Sequence, residues 1–410
     1  LYTGGVTAPQ TKFPLEYVNK TVSLKYFGKQ SDFHLSHGLF SSNDVDAGTR
    51  LLLKAVAARV DMPKLASVLD VGCGMGVIGI SIARAAPQAR VTLQDRDALA
   101  VAFARENARA NGVQNADVSC GLAFWGLGER LFDLFAANLP AKAGKPVLES
   151  FFQTAPRMLS AHGVGAIVIV SPLEQLARDS IQSSGCLLFH AESTGRHAVF
   201  FFQRPDIISK AEEPRESLAP YLRTRQRFSC GELSYELETA YNLPDFDTLG
   251  YAVGLAQEML PFGAIKGNAL FWNPGQGHLP VYAETRRPRG FKTVRLAGRD
   301  ALEVAIAERN LVSSGRGDVQ SFLLATEAGL AETMEAESID FFSALVRAVP
   351  KAPWHVDLVH AAEKVLVRGG MFLAAGESTE VFRVLDLCGS FTVLESRKKF
   401  GFRAVLLLRR

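Results

Sequence analysis

No two cysteines in this chain lie close enough to form a CxxC clip. Cys73, Cys120, Cys186, Cys230 and Cys388 are scattered, which argues against a zinc ribbon or a disulfide frame and for reduced thiols. The eight histidines form no HExxH or similar cluster, so no metal centre is expected. No apolar run approaches the roughly 20 residues of a membrane span. The longest, such as VGAIVIV at 164–170, are strand-sized, and no membrane partner is expected. Neither sign of charge dominates: the net charge is +3, which permits an RNA partner without requiring one.

What is present is a globular composition. Hydrophobic residues make up 48% and charged residues 21% of 410 residues, a length that suggests two domains. The chain starts at Leu1. A trimmed start or a removed organelle leader would each give that, so the expected location is the cytoplasm, with mitochondrion or plastid as the alternative.

The chain repeats itself. RDALAVAFAREN (96–107) and RDALEVAIAERN (299–310) share eight of twelve positions. SNDVDAGTRLLLKA (42–55) matches LPDFDTLGYAVGLA (243–256), and SVLDVGCGMG (67–76) stands opposite NALFWNPGQG (268–277). Gly74 and Gly275 lie 201 residues apart, Arg96 and Arg299 lie 203 apart, and both halves close on an apolar strand. Each half alternates strand-like and helix-like segments, which implies a parallel sheet with helices on both faces. The expected organisation is an extension over 1–29, a first domain over 30–203, a charged, proline-bearing linker over 204–226, and a second domain over 227–410.

In the first half, VLDVGCGMG reads as a strand, a glycine turn and the start of a helix. Gly72, Gly74 and Gly76 let a ligand approach the backbone at the carboxyl end of a strand, where open α/β sheets bind. Asp70 puts a carboxylate at that strand end. Asp95 ends VTLQD nineteen residues after Gly76, where it could accept both hydroxyls of a ribose. The turn lacks the Lys-Ser or Lys-Thr of a triphosphate loop. The bland alternative is that both aspartates are helix caps or ion-pair members.

These residues, with HLSHGLFSSNDVDAGTRLLLKAV ahead of them and Asn138-Leu139-Pro140-Ala141 after them, resemble the class I S-adenosylmethionine methyltransferases. More narrowly they resemble the two-domain small-subunit rRNA guanine-N2 methyltransferases. The resemblance implies two tandem Rossmann-like domains, each a mostly parallel twisted sheet with helices on both faces. It implies S-adenosyl-L-methionine as cofactor, with Phe40, Asp46, Cys73, Arg96 and Asn138 joining Asp70, the glycines and Asp95 around it. Asn138, Leu139 and Pro140 would form the catalytic turn, with the Asn138 side chain and the Leu139 carbonyl accepting the two N–H bonds of an exocyclic amine. The family's motif is Asn-Pro-Pro; here Leu139 replaces the first proline and no aromatic residue follows. SCGLAFW (119–125) also lacks the acid that many relatives use to meet adenine.

The second half has Phe271 opposite Asp70 and Gly298 opposite Asp95. Arg347-Ala348-Val349-Pro350 is its nearest counterpart to the catalytic motif, without the Asn. Chemistry is therefore expected in the first half alone, and the family's usual order, degenerate half first, is reversed. Lys142 and Lys145 near the motif, Arg286, Arg287 and Arg289 in RRPRGFK, and Lys398 and Lys399 in SRKKFGFR are candidate phosphate contacts. Solvated surface is the alternative, and the alternating Phe residues beside them read as core. The expected function is methylation of guanine N2 in ribosomal RNA by a monomer without metal. The alternative is a methyltransferase-shaped assembly factor with little or no turnover.

Overall fold

A computed structural model describes residues 12–205 and 216–410. The chain divides into two compact units, Val18–Tyr221 and Leu222–Arg410, and the segment ending at Tyr17 belongs with the latter.

The first unit opens with a hairpin, β1 (Lys20–Tyr26) and β2 (Lys29–Leu35). There follow α1 (Ala47–Arg59), β3 (Ser67–Val71), α2 (Val77–Ala85), β4 (Arg90–Asp95), α3 (Ala98–Ala110), β5 (Ala116–Cys120) and β6 (Phe132–Asn138). The unit closes with α4 (Lys145–Thr154), β7 (Leu159–Val170), α5 (Glu174–Ser183), β8 (Leu187–Ser193) and β9 (His197–Gln203). The seven-stranded sheet runs β5-β4-β3-β6-β7-β9-β8. Its first five strands are parallel and β9 alone is reversed. The chain winds outward from β3 in one direction and then, at β6, in the other. That reversal leaves a crevice at the carboxyl ends of β3, β4 and β6. The central strands are apolar on both faces because helices cover both: Leu134, Phe135, Ala136 and Ala137 of β6 are consecutive and all buried.

The second unit repeats the plan. A hairpin, β10 (Leu222–Cys230) and β11 (Leu233–Ala240), precedes α6 (Tyr251–Met259), β12 (Gly267–Trp272), α7 (His278–Arg286), β13 (Phe291–Gly298) and α8 (Ala301–Ser313). Then come β14 (Val319–Leu323), α9 (Ala328–Thr333), β15 (Ile339–Leu345), α10 (Trp354–Val365) and β16 (Leu366–Glu377). The last elements are α11 (Ser378–Leu387), β17 (Phe391–Lys399) and β18 (Phe402–Arg409). The sheet order β14-β13-β12-β15-β16-β18-β17 is that of the first unit. Both sheets thus have the doubly wound α/β form expected from the sequence.

The repeated twelve-residue segment is α3 in one unit and α8 in the other. Asp97 and Asp300 cap the two helices, accepting from the Leu99 and Leu302 N–H groups at 2.8 and 2.9 Å. The asparagine that ends the segment makes the same clip twice. Asn107 accepts from the His34 N–H at 2.8 Å and donates to the carbonyls of His34 and Met75 at 3.2 and 2.9 Å. Asn310 accepts from the Glu238 N–H at 2.9 Å and donates to the carbonyls of Glu238 and Gln276 at 2.9 and 2.8 Å. Each buried side chain ties a hairpin strand to a glycine turn, so the segment recurs because the fold needs it. A buried amide left without these partners would cost about 1–3 kcal/mol per unsatisfied group.

The unit boundaries differ from those expected. Residues 1–11 of the expected extension and 206–215 of the expected linker lie outside the described residues. Much of the remaining extension is the β1–β2 hairpin, and 222–226 is the start of β10. The charge that made 222–226 look like linker belongs to an exposed ribbon. Arg223 pairs with Asp247 at 2.7 Å and Arg225 with Glu236 at 3.0 Å.

Candidate functional site

On the first sheet, β3 runs into the turn 72–76, β4 ends on Asp95 and β6 ends on Asn138. Gly72 and Gly74 have φ of +68° and +53°, a region that side chains rarely adopt. A Cβ at either would meet nothing within 4 Å, so the space beside the turn is open. Gly76 serves packing instead: a Cβ there would press on Ile80 Cδ1 at 2.7 Å.

Asp95 braces the turn. Its Oδ2 accepts from the Gly74 N–H and its Oδ1 from the Asp97 N–H, both at 2.9 Å. Each oxygen keeps a lone pair for a further donor. Burial raises its pKa, and the N–H groups of Asp97 and Gly74 oppose that rise. Asp70 is fully buried. Its Oδ2 accepts from the Gly79 N–H at 2.7 Å in the first turn of α2, a helix end that favours negative charge. Its Oδ1 has no partner among the described residues. Burial pushes this carboxyl up to about 7, the Gly79 N–H works against the rise, and the Asp95 charge adds to it. Both aspartates hold backbone N–H groups, though neither is the N-cap of a helix, and Asp70 Oδ1 stays buried without a partner among the described residues.

Asn138 is fixed from behind. Its Nδ2 donates to Asp46 Oδ2 at 2.9 Å and to Thr49 Oγ1 at 3.1 Å. A carboxylate only accepts, so the nitrogen must face Asp46 and Oδ1 must face the other way. Asp46 also caps α1, accepting from the Thr49 N–H at 3.2 Å. Gly48 lets this corner close: a Cβ there would lie 2.9 Å from Asp46 Oδ2 and 3.1 Å from the His197 ring. Thr49 and His197 were not singled out in the sequence. The spacing of Thr49 three residues after a capping Asp was the available signal; His197, on a distant strand, had none.

The other expected contacts vary. The Leu139 side chain is buried and its N–H donates to the Val168 carbonyl at 2.9 Å. Pro140 is exposed. Cys73 is buried and burial raises its thiol pKa, so it is no nucleophile. Arg96 is half-buried, its carbonyl 3.5 Å from Cys120 Sγ, while Phe40 is exposed on the loop ahead of α1. After β5, Leu122 and Phe124 enter the core. Gln94 Nε2 holds the Ala123 and Trp125 carbonyls at 2.8 Å each. Lys142 is exposed and Lys145 lies 3.6 Å from Glu149.

The second unit fills the same place with its own groups. Strand registers put Phe271 where Asp70 stands and Gly298 where Asp95 stands. They put Leu345 in the position of Asn138. This corrects the alignment read from sequence: Arg347 lies two residues beyond that position, because similarity of letters does not report ladder register. Gly275 N–H donates to Glu303 at 2.6 Å, and Arg347 pairs with that buried carboxylate. Nearby, Glu327 accepts from Trp272 Nε1 at 3.2 Å and from the Tyr17 hydroxyl at 3.0 Å.

The basic clusters divide as well. Arg286 and Arg287 donate to the carbonyls of Leu260 and Ile265. Arg289, Lys398 and Lys399 are exposed. Among the described residues no cluster of His, Cys, Asp and Glu could hold a metal, and no helix is long and apolar enough to cross a membrane.

Known proteins resemble this chain in sequence over the first unit and in fold over both. The model of the methyltransferase small domain matches residues 30–183. An uncharacterised protein of Bacillus subtilis, YbxB, is 32% identical over 152 residues, 37% of this chain and 74% of that protein. Ribosomal RNA small subunit methyltransferase C of Pseudomonas entomophila is 35% identical over 156 residues, 38% of this chain. The match spans 44% of the Pseudomonas protein, under half its length. Among solved structures, the T. thermophilus 16S rRNA N2 methyltransferase, in complex with AdoMet and guanosine, superposes with a TM-score of 0.66. It covers 96% of this chain and 99% of its own at 18% identity, a likeness of fold.

Proposed function

Because the chain belongs to the methyltransferase small domain family of class I S-adenosylmethionine-dependent methyltransferases, we propose that its first unit methylates the exocyclic N2 of a guanine in ribosomal RNA. One observation carries the reading: Asn138 is clamped by Asp46 and Thr49 so that its Oδ1 faces away from both.

The residues present fit the cofactor. The turn is open at Gly72 and Gly74. Asp95 has lone pairs for two ribose hydroxyls, and Asp70 Oδ1 is an acceptor without a partner. Lacking an acid after β5, the site would hold adenine through apolar and backbone contacts. S-adenosylmethionine supplies a methyl group on a positively charged sulfur. The protein's part is positioning. Asn138 Oδ1 and the Leu139 carbonyl accept the two amine N–H bonds. That draws the nitrogen lone pair out of conjugation with the ring and aims it along the line of transfer. The base must be unpaired or flipped out, since a paired amine is out of reach. Lys142, Lys145, Arg289, Lys398 and Lys399 are the proposed phosphate contacts, with ribosomal RNA, free or in a particle, as partner. Leu139 in place of proline favours a second reading, a weakly active assembly factor. Cofactor binding without methyl transfer to any ribosomal RNA would support that one.

The test is a calorimetric titration of S-adenosylmethionine into the wild type and Asp95→Ala. The expected result is micromolar binding, weakened tenfold or more by the substitution, about 1.4 kcal/mol. No binding to folded wild type would remove the methyltransferase reading.

A further inference from the structure

The tip of the β17–β18 hairpin carries a residue that the fold does not favour. Lys399 pairs with Phe402, so Phe400 and Gly401 form a two-residue turn, with φ of +50° and +84°. Such a turn suits Asn-Gly. A bulky residue at positive φ is strained, and strain of this kind points to function rather than stability. The ring gains little from the fold in return, being 67% exposed.

Phe400 is not alone. Tyr251, the first residue of α6, is 56% exposed. Its ring centroid lies 5.0 Å from that of Phe400 and 5.8 Å from that of Phe402. Tyr251 is inclined to Phe400 by 53° and to Phe402 by 32°, so the rings make a stepped ledge open to solvent, at the carboxyl end of the second sheet. Its charge is positive. Lys399 Nζ sits 5.5 Å from the Phe400 ring centre, and Lys398 beside it is exposed. Arg397 is held by Glu395 and Glu258 at 2.5 and 3.6 Å, and Arg403 donates to Ser396 and Ser378. The two lysines therefore remain for a ligand, with Glu377, paired in register with Phe402, as the acid on the adjoining strand. The Phe27-Gly28 turn of the first unit has the same backbone, with φ of +44° and +74°. There the aromatic neighbour is Tyr26 on the same strand, edge-on at 4.9 Å.

We propose that Tyr251 and Phe400 form a stacking ledge for unpaired RNA bases, with Lys398 and Lys399 meeting the adjoining phosphates. Exposed rings beside lysines that have no carboxylate partner among the described residues suit a single strand, because every base offers a stacking face and every linkage a negative charge. The proposal rests on the RNA reading above and gives the second unit a binding task of its own. It also reverses the expectation that the phenylalanines of this segment are core.

The test uses the full chain, a fluorescein-labelled single-stranded RNA dodecamer of mixed sequence, and Phe400→Asn. Asparagine suits the turn, so the variant should melt at or above the wild-type temperature. Its dodecamer affinity should fall at least fivefold with an unchanged salt slope, while Phe400→Tyr retains affinity. Tyr251→Ala should weaken binding comparably, and Lys398→Ala and Lys399→Ala should each flatten the salt slope by about 0.7, the value for one phosphate contact on a single strand. Cofactor affinity should be unchanged in all of them. Wild-type affinity in Phe400→Asn, or no binding of the dodecamer by the wild type, would overturn the ledge. So would unchanged RNA affinity with loss of a ribosomal protein partner, which would assign the ledge to protein. Ledge-dependent RNA binding by a chain that takes no S-adenosylmethionine would keep the ledge and remove the methyltransferase reading.

Discussion

The two glycine turns show how one fold supports a candidate site in one unit and fills the same place in the other. In the first unit, the turn's N–H at Gly74 is held by Asp95, a side chain at a strand end that keeps lone pairs for a ligand. In the second, the equivalent N–H at Gly275 is held by Glu303, which comes from the helix and is neutralised by Arg347. The first unit leaves Asp70 Oδ1 without a partner among the described residues. The second places Phe271 there and draws Tyr17 onto Glu327. Keeping the turn requires an acceptor for its N–H groups; keeping a site requires an acceptor with capacity left over.

The sharpest way to break this contrast is Asn138→Ala. Methyl transfer should fall by about 10²–10³-fold in a labelled-methyl assay, with cofactor affinity within a few-fold of wild type. Equal loss of both would mean that Asn138 serves the cofactor rather than the base. Thr49→Val removes one of the two groups that orient the amide. Transfer should drop by roughly tenfold, in kcat more than in KM for the RNA, as expected of a positioning residue.

Glu303→Ala mirrors the Asp95→Ala experiment. It leaves the Gly275 N–H and Arg347 without their partner, so unfolding free energy should fall by about 1–3 kcal/mol while S-adenosylmethionine affinity stays the same. A loss of cofactor affinity in this variant would show that the second unit still binds it. Tyr17→Phe should give a smaller stability loss, about 1 kcal/mol for one hydroxyl, and also leave cofactor binding intact.

Asp70 adds a pH dependence at a position that Phe271 fills in the second unit. Its folded pKa, about 7, lies above the ordinary carboxyl value of 3.8. The folded chain thus holds this proton more tightly than the unfolded one. The resulting stabilisation is complete below about pH 4 and is lost as pH rises through about 7. Asp70→Asn should therefore flatten the fall of melting temperature between pH 5 and 8. A bound cation favours the ionised carboxylate, so cofactor affinity in the wild type should rise across the same window. An Asp70→Asn profile identical to wild type would show that this carboxyl does not titrate there.

Local pattern carried the fold a long way. The strand–helix alternation, the Asp97 and Asp300 caps and the glycine turns are signals written within a few residues of one another, where backbone geometry ties spacing to structure. Those same signals marked Asp70, Asp95 and Asn138. Sequence similarity puts Arg347 opposite Asn138, whereas the ladder puts Leu345 there, because which residue ends a strand depends on pairing with β12 and β16. The start of β10 read as linker because an exposed two-stranded ribbon has a linker's composition.

Periodicity and turn chemistry were thus sufficient for two doubly wound sheets. Folding in three dimensions decided which side chains meet. Asp46 reaches Asn138 from 92 positions away, and Tyr17 reaches Glu327 from 310. The Phe400 ring faces Tyr251 and solvent rather than the core. Such contacts arise only where the sheets bring distant strand ends together, and no local spacing encodes them.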